Sequence, residues 1–117
     1  MRQDAYLGLD IGGTGAKAGV VDNQGRLLAI AHRPYQPQLM NDGRVEIPIE
    51  TIYSAARQAA VSAVRESGAR IAALSIASQG QTFVSLDEHD EPLHPAIIWY
   101  DARAGEQAER LTLALQS

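Results

Sequence analysis

The stretch from Tyr6 to Asp22, Tyr-Leu-Gly-Leu-Asp-Ile-Gly-Gly-Thr-Gly-Ala-Lys-Ala-Gly-Val-Val-Asp, constrains this chain more than any other. It predicts a strand, a tight turn and a second strand. The first arm is apolar (Tyr6, Leu7, Leu9, Ile11) and carries one acid, Asp10. Gly12 and Gly13 fall where the chain must reverse, Thr14 sits at the tip, and Lys17 opens the second arm. An acid in an apolar strand is expensive unless it meets a cation or strong donors. Glycines beside it let backbone N–H groups approach an anion closely. Together the acid, glycines, hydroxyl and lysine describe a site for phosphate and Mg²⁺. An ordinary hairpin with a glycine turn is the competing reading, and from these residues alone both stay open.

Length and composition narrow the setting. A chain of 117 residues buries roughly two-thirds of its unfolded surface when it folds, enough for one compact core or one piece of a larger domain. The absence of cysteine excludes disulfides and thiolate metal sites and fits a reducing, cytoplasmic setting. No apolar run is long enough to span a membrane, and Met-Arg-Gln-Asp lacks the apolar core of a signal peptide. The net charge of -4 and singly scattered basic residues argue against a nucleic-acid surface.

Along the chain, residues 26–33 predict a third antiparallel strand, completing a meander. Pro34 and Pro37 make the following segment irregular, and residues 44–47 read as short and extended. Pro48 suits the first position of a helix, and Glu50 its positive end. The apolar positions Ile49, Ile52, Tyr53, Ala56, Ala59, Ala60, Ala63 and Val64 recur at helical spacing, and Gly68 suits a left-handed cap. The apolar run 71–78 then predicts an internal strand buried on both faces. Meander, crossover helix and strand make a mixed α/β layer. Residues 83–87 and 96–100 predict further strands. Asp101 suits the N-cap of a last helix, which presents Ala104, Ala108, Leu111 and Leu115 on one face. Arg103 in that helix's first turn is poorly placed for the helix dipole, which points to a carboxylate partner. His89 and His94 read as turn residues rather than metal ligands.

Three groups at strand ends carry the chemistry. The first is Asp10, Gly12, Gly13, Thr14 and Lys17. The second is Ser78, Gln79, Gln81 and Thr82, whose uncharged polar groups suit a hydroxyl-rich ligand beyond a strand end; a plain polar loop is the alternative. The third is Trp99, Asp101 and Arg103, where a tryptophan can wall a sugar site; a core tryptophan with a capping aspartate is the alternative. The phosphate loop ending in GK[ST], the GxGxxG fingerprint and the GxSxG elbow are all absent.

These residues resemble the N-terminus of the FGGY carbohydrate kinases, which include xylulokinase, gluconate kinase and glycerol kinase. The resemblance rests on Asp10-Ile-Gly-Gly-Thr-Gly-Ala-Lys17, the Gln79-Gly-Gln81 loop, and Pro95-Ala-Ile-Ile-Trp-Tyr-Asp-Ala-Arg103. The opening motif is shared with hexokinase-type glucokinases, and the last block separates the two. The resemblance implies a ribonuclease H-like, actin-like ATPase fold, here incomplete. It implies ATP and Mg²⁺ as cofactors and a small sugar or polyol as substrate, with a lean to a xylulokinase-like ketose. It assigns Asp10 to Mg²⁺; Gly12, Gly13, Thr14, Gly15 and Lys17 to the ATP phosphates; and Gln79, Gly80, Gln81, Trp99, Asp101 and Arg103 to the substrate side. The family often has hydroxyl residues where Gly13 and Gly15 stand. Gly80 and Gln81 match neither the xylulokinase nor the glycerol kinase pattern. Members run to about 500 residues, more than one domain. Residues 1–117 then correspond to part of the first domain, without the aspartate base or the nucleotide domain, and the chain alone is expected to be inactive. A non-catalytic sugar-binding or oligomerising module, dimerising through exposed sheet edges, is the reading in another class, and a glucokinase or regulator relative is a third.

Overall fold

The computed structural model describes residues 3–116. The expected hairpin forms from β1 (Asp4–Ile11) and β2 (Gly15–Asp22), and β3 (Leu27–Pro34) completes the meander. Two-residue alternation explains their faces. Ala5, Leu7 and Leu9 of β1 and Ala16, Ala18 and Val20 of β2 are buried. Tyr6, Asp10 and Lys17 look the other way and are exposed.

The chain then forms β4 (Gln38–Leu39) and β5 (Val45–Ile47) and enters helix α1 (Ile49–Ser67). Pro48 stands one position earlier than its expected place, in the N-cap, and Glu50 lies in the first turn. Gly68, at φ 61°, closes the helix in the left-handed conformation as expected. Ala55, Ala56, Ala59 and Ala63 are buried against the sheet. Their small side chains let α1 lie close over β2 and β3, with less of β1 beneath it.

β6 (Arg70–Ser78) returns parallel to β1, giving the sheet order β3-β2-β1-β6. The expectation of an internal, doubly buried strand fails here. β6 is an edge strand, and α1 packs over the other end of the sheet, so Leu74 and Ile76 are 55% and 57% exposed. A second sheet, ordered β4-β5-β7, uses β7 (Ala96–Ile97). The strand expected over 96–100 is thus two residues long. The one expected over 83–87 reduces to single bridges, Phe83 to Ile97 and Leu86 to Pro92.

Helix α2 covers Gly105–Leu115, with Ala104 rather than Asp101 in the cap position. None of its residues is buried, so the expected face of Ala108, Leu111 and Leu115 is left exposed. The radius of gyration, 18.4 Å, exceeds the roughly 13 Å of a compact chain of this length. Among the described residues no helix is long and apolar enough to cross a membrane.

Candidate functional site

Register places Asp10 opposite Lys17 across β1 and β2, and Lys17 opposite His32 across β2 and β3. On the other side Asp10 neighbours Ala77 of β6. One row of the uncovered face therefore reads His32, Lys17, Asp10, Ala77. One row away, Gly8 faces Gly19. Two facing glycines leave the sheet bare, and a cleft of about 300 Å³ opens there, lined by Asp10 and Lys17 with Ile30, Ser75 and Ala77.

The partners of the charged groups are telling. Asp4, Asp22, Asp42 and Asp101 each pair with an arginine. The side chains of Asp10 and Lys17 have no hydrogen bond or ion pair with any described residue. Asp10 is also exposed, so the burial cost anticipated for it does not arise. A lone exposed carboxylate suits Mg²⁺, which keeps most of its waters and takes one or two carboxylates together with phosphate oxygens. Among the described residues there is no group of three acidic or histidine side chains to form a protein-only cage.

The turn between the strands is tied down from three directions. Gly12 N–H donates to Gly15 O at 3.0 Å, and Tyr35 N–H to Thr14 O at 3.0 Å. The Gly12 carbonyl accepts from the Tyr35 hydroxyl and from Gln79 Nε2, the latter at 3.1 Å. The N–H groups of Gly13 and Thr14 and the Thr14 hydroxyl take no partner among the described residues. Such free donors beside a cation can hold an anion. Gly15 is a glycine because of packing: a Cβ there would lie 2.5 Å from His32 Nε2 and 3.0 Å from the Arg33 carbonyl.

Tyr35 is a site residue that the sequence pattern does not single out. It is buried, and burial first, then the Asp10 charge, push its phenol above the ordinary value. The available signal was an aromatic residue between Pro34 and Pro37 in an otherwise polar segment.

The second and third groups come together beside the turn. Gln79 Oε1 and Trp99 Nε1 lie 3.4 Å and 3.8 Å from the position a Cβ on Gly13 would take. Thr82 Oγ1 accepts from Trp99 N–H at 3.1 Å, joining the glutamine loop to the tryptophan block. Trp99 is 56% exposed, so it is no core tryptophan. Its ring meets Tyr100 edge-on at 5.1 Å. Gln79 Oε1 is buried without a partner among the described residues, an arrangement that costs about 1–3 kcal/mol. Gly80 and Gln81 are exposed, with open space around Gly80. Gln81 has φ 62°, a conformation rare outside glycine and asparagine.

Asp101 and Arg103 are directed elsewhere. Asp101 Oδ2 accepts from Val45 N–H at 2.6 Å, and Arg103 bonds both Asp101 oxygens and Glu46 Oε1. The Arg103 hydrogen bonds, opposed by burial, hold the Asp101 carboxyl well below its usual range. Asp101, then Glu46, raise the guanidinium in turn. The carboxylate partner anticipated for Arg103 is therefore present twice over. These bonds brace the segment after Trp99 against β5 and do not reach the hairpin.

The N-terminal domain of the FGGY family of carbohydrate kinases matches residues 5–116. Glycerol kinase of Trichlorobacter lovleyi is 35% identical over 109 residues, covering 90% of this chain and 22% of that protein. Gluconate kinase from Lactobacillus acidophilus superposes with a TM-score of 0.87 at 26% identity, covering 97% of this chain and 24% of the other. Xylulose kinase from Rhodospirillum rubrum superposes with a TM-score of 0.88 at 25% identity, covering 94% and 23%. The chain thus spans between a fifth and a quarter of the length of these relatives. With a family match running almost end to end and a fold shared with solved sugar kinases, the chain belongs to the FGGY family of carbohydrate kinases.

Proposed function

We propose that this chain forms one wall of the cleft of an ATP-dependent kinase acting on a small, neutral polyhydroxy substrate. One observation carries the reading. The side chains of Asp10 and Lys17, the Thr14 hydroxyl and the N–H groups of Gly13 and Thr14 all lack partners among the described residues, and they sit on or beside one turn. Bound MgATP supplies the phosphoryl group and the divalent charge that offsets the developing negative charge. Asp10 would hold the Mg²⁺, directly or through water. Lys17 and the free amides would face phosphate oxygens.

Gln79 and Trp99, beside Gly13, would meet the sugar. A neutral polyol or ketose fits better than an aldonate. The nearest cation in the substrate block, Arg103, is already neutralised by Asp101 and Glu46. Gln81 and Gly80 bring no charge of their own.

The reaction also needs a base for the substrate hydroxyl. Among the described residues the cleft offers one carboxylate, Asp10, and the metal uses it. The 117-residue chain is therefore expected to bind ligands without turning over ATP.

Trp99 is the sole tryptophan, so its fluorescence reports on the proposed substrate wall without labelling. Titration with glycerol, xylulose and gluconate should change its emission saturably for a polyol or ketose. No change with any of them, in the chain or in a longer polypeptide carrying it, would sink the substrate assignment. Sugar-dependent ADP release by the pure 117-residue chain would overturn the expectation of inactivity.

A further inference from the structure

Three separate segments meet at the Gly12 carbonyl. It belongs to the turn, yet it accepts from Tyr35, which follows β3, and from Gln79, which follows β6. Peptide planarity gives this convergence a consequence. The Gly12 oxygen and the Gly13 N–H belong to the same rigid, trans unit. Whatever fixes the oxygen fixes the direction of the Gly13 N–H, opposite to it.

A peptide flanked by glycine on both sides is otherwise the easiest in the chain to rotate. Gly12 and Gly13 flank this one, and the Gly13 N–H has no partner of its own to hold it. The amide of Gln79 is oriented by the same atom. Turned over, its Oε1 would face the Gly12 oxygen, acceptor against acceptor. Held as it is, Nε2 donates and Oε1 is left buried without a partner. The unmet acceptor is tolerated because the donor end is engaged.

We propose that Tyr35 and Gln79 are positioning residues that lock the Gly12–Gly13 peptide in one orientation, so that the Gly13 N–H is held ready for an anionic oxygen. Neither need touch that anion. That the anion is a nucleotide phosphate rests on the kinase reading, whereas the lock itself does not.

The test uses Tyr35→Phe and Gln79→Met, which remove one donor each and keep most of the side-chain volume. Backbone ¹⁵N relaxation dispersion is measured on the 117-residue chain. The parent should be quiet at Gly12, Gly13 and Thr14. Each variant should show millisecond exchange at these residues, while Gly8 and Val20 within the strands stay quiet. No exchange at the turn in either variant would overturn the lock. Exchange spread equally through β1 and β2 would also overturn it, since both residues would then only support the fold. The Gly13 amide shift is next followed in a titration with MgATP. Affinity should fall about tenfold in each variant, a change of roughly 1.4 kcal/mol. If the parent amide ignores MgATP while the dispersion result holds, the lock stands and the kinase reading fails. Parent and variants binding MgATP equally would overturn the claim that the lock readies the Gly13 N–H for the anion.

Discussion

Asp10 and Lys17 stand opposite each other across the first hairpin, and neither side chain makes a hydrogen bond or ion pair with any described residue. Facing opposite charges usually close on each other when nothing else needs them. Here the two sit apart at the rim of a cleft floored by glycine. Asp10→Ala in a catalytically competent polypeptide carrying this segment should lower turnover by about 10²- to 10³-fold, the usual cost of losing one group that stabilises transition-state charge. Sugar affinity, read by calorimetry, should not change. Lys17→Met should instead weaken nucleotide binding by about 10- to 100-fold, the equivalent of one charged hydrogen bond. Equal effects of Asp10→Ala on sugar and nucleotide would argue against the division of labour drawn here.

The two glycines at the end of the turn should respond oppositely to the same methyl group. At Gly15 a Cβ meets the Arg33 carbonyl at 3.0 Å and Pro34 Cα at 3.1 Å. Backbone cannot yield as a side chain does, so Gly15→Ala should destabilise by about 1–3 kcal/mol. At Gly13 the nearest atom is Gln79 Oε1 at 3.4 Å, and Gly13 is not among the residues of positive φ. Gly13→Ala should stabilise by about 0.4–1 kcal/mol through the unfolded chain. Gly13→Ser should stabilise further, because its hydroxyl can donate to the unmet Gln79 oxygen. Urea denaturation of the three variants checks the order, and Gly13→Ser melting below Gly13→Ala would contradict it.

The brace between Asp101 and Arg103 predicts a pH profile. The Asp101 carboxyl in the folded chain lies well below its ordinary 3.8. Asp22 and Asp42 are shifted the same way, chiefly by backbone hydrogen bonds from Arg26 and Arg44. A lowered folded value means that the unfolded chain takes up protons first as the pH falls. The stabilisation is therefore complete above about pH 4 and is lost as the pH drops through the folded values. The urea midpoint should be flat from neutral pH to that point and fall below it. Asp101→Asn should lower the midpoint at neutral pH and flatten part of the acid limb. An unchanged acid limb in that variant would exclude Asp101 as a source of the slope.

Much of this arrangement was legible in the residues, and the misses have physical reasons. The hairpin could be read because Leu7, Leu9, Ala16, Ala18 and Val20 alternate with polar or small residues, and strand periodicity is local. Helix α1 could be read for the same reason, and Gly68 marked its end. The position of β6 could not. An apolar run such as Ile71 to Ala77 looks alike whether it lies inside a sheet or at its edge, because the covering layer is not local. Residues 83–87 and 96–100 have strand composition but find only single bridges or a two-residue pairing. Asp101 looked like a helix cap because its position before a helical stretch is local. Its Oδ1 does accept from the Arg103 N–H two residues on, but its Oδ2 accepts from the Val45 N–H, 56 residues away in sequence. The role of Tyr35 is non-local for the same reason: its hydroxyl reaches back 23 residues to Gly12.

The paired glycines beneath the cleft allow function to be separated from folding. Gly8 lies in the middle of β1 opposite Gly19. A Cβ there has only the Gly19 carbonyl near it, at 3.9 Å, an ordinary contact. Glycine within a strand weakens it, and a β-branched residue suits the extended backbone better. Gly8→Val should therefore raise the melting temperature by a few degrees, since roughly 1 kcal/mol moves a chain of this size by about 4 °C or more. The isopropyl group would project from the uncovered face into the cleft beside Asp10 and Lys17. MgATP binding should then fall at least tenfold, while the response of Trp99 to a polyol or ketose persists. A variant that is more stable and still binds MgATP normally would show that the phosphates do not enter over Gly8, and the nucleotide site would have to be moved off this face of the sheet.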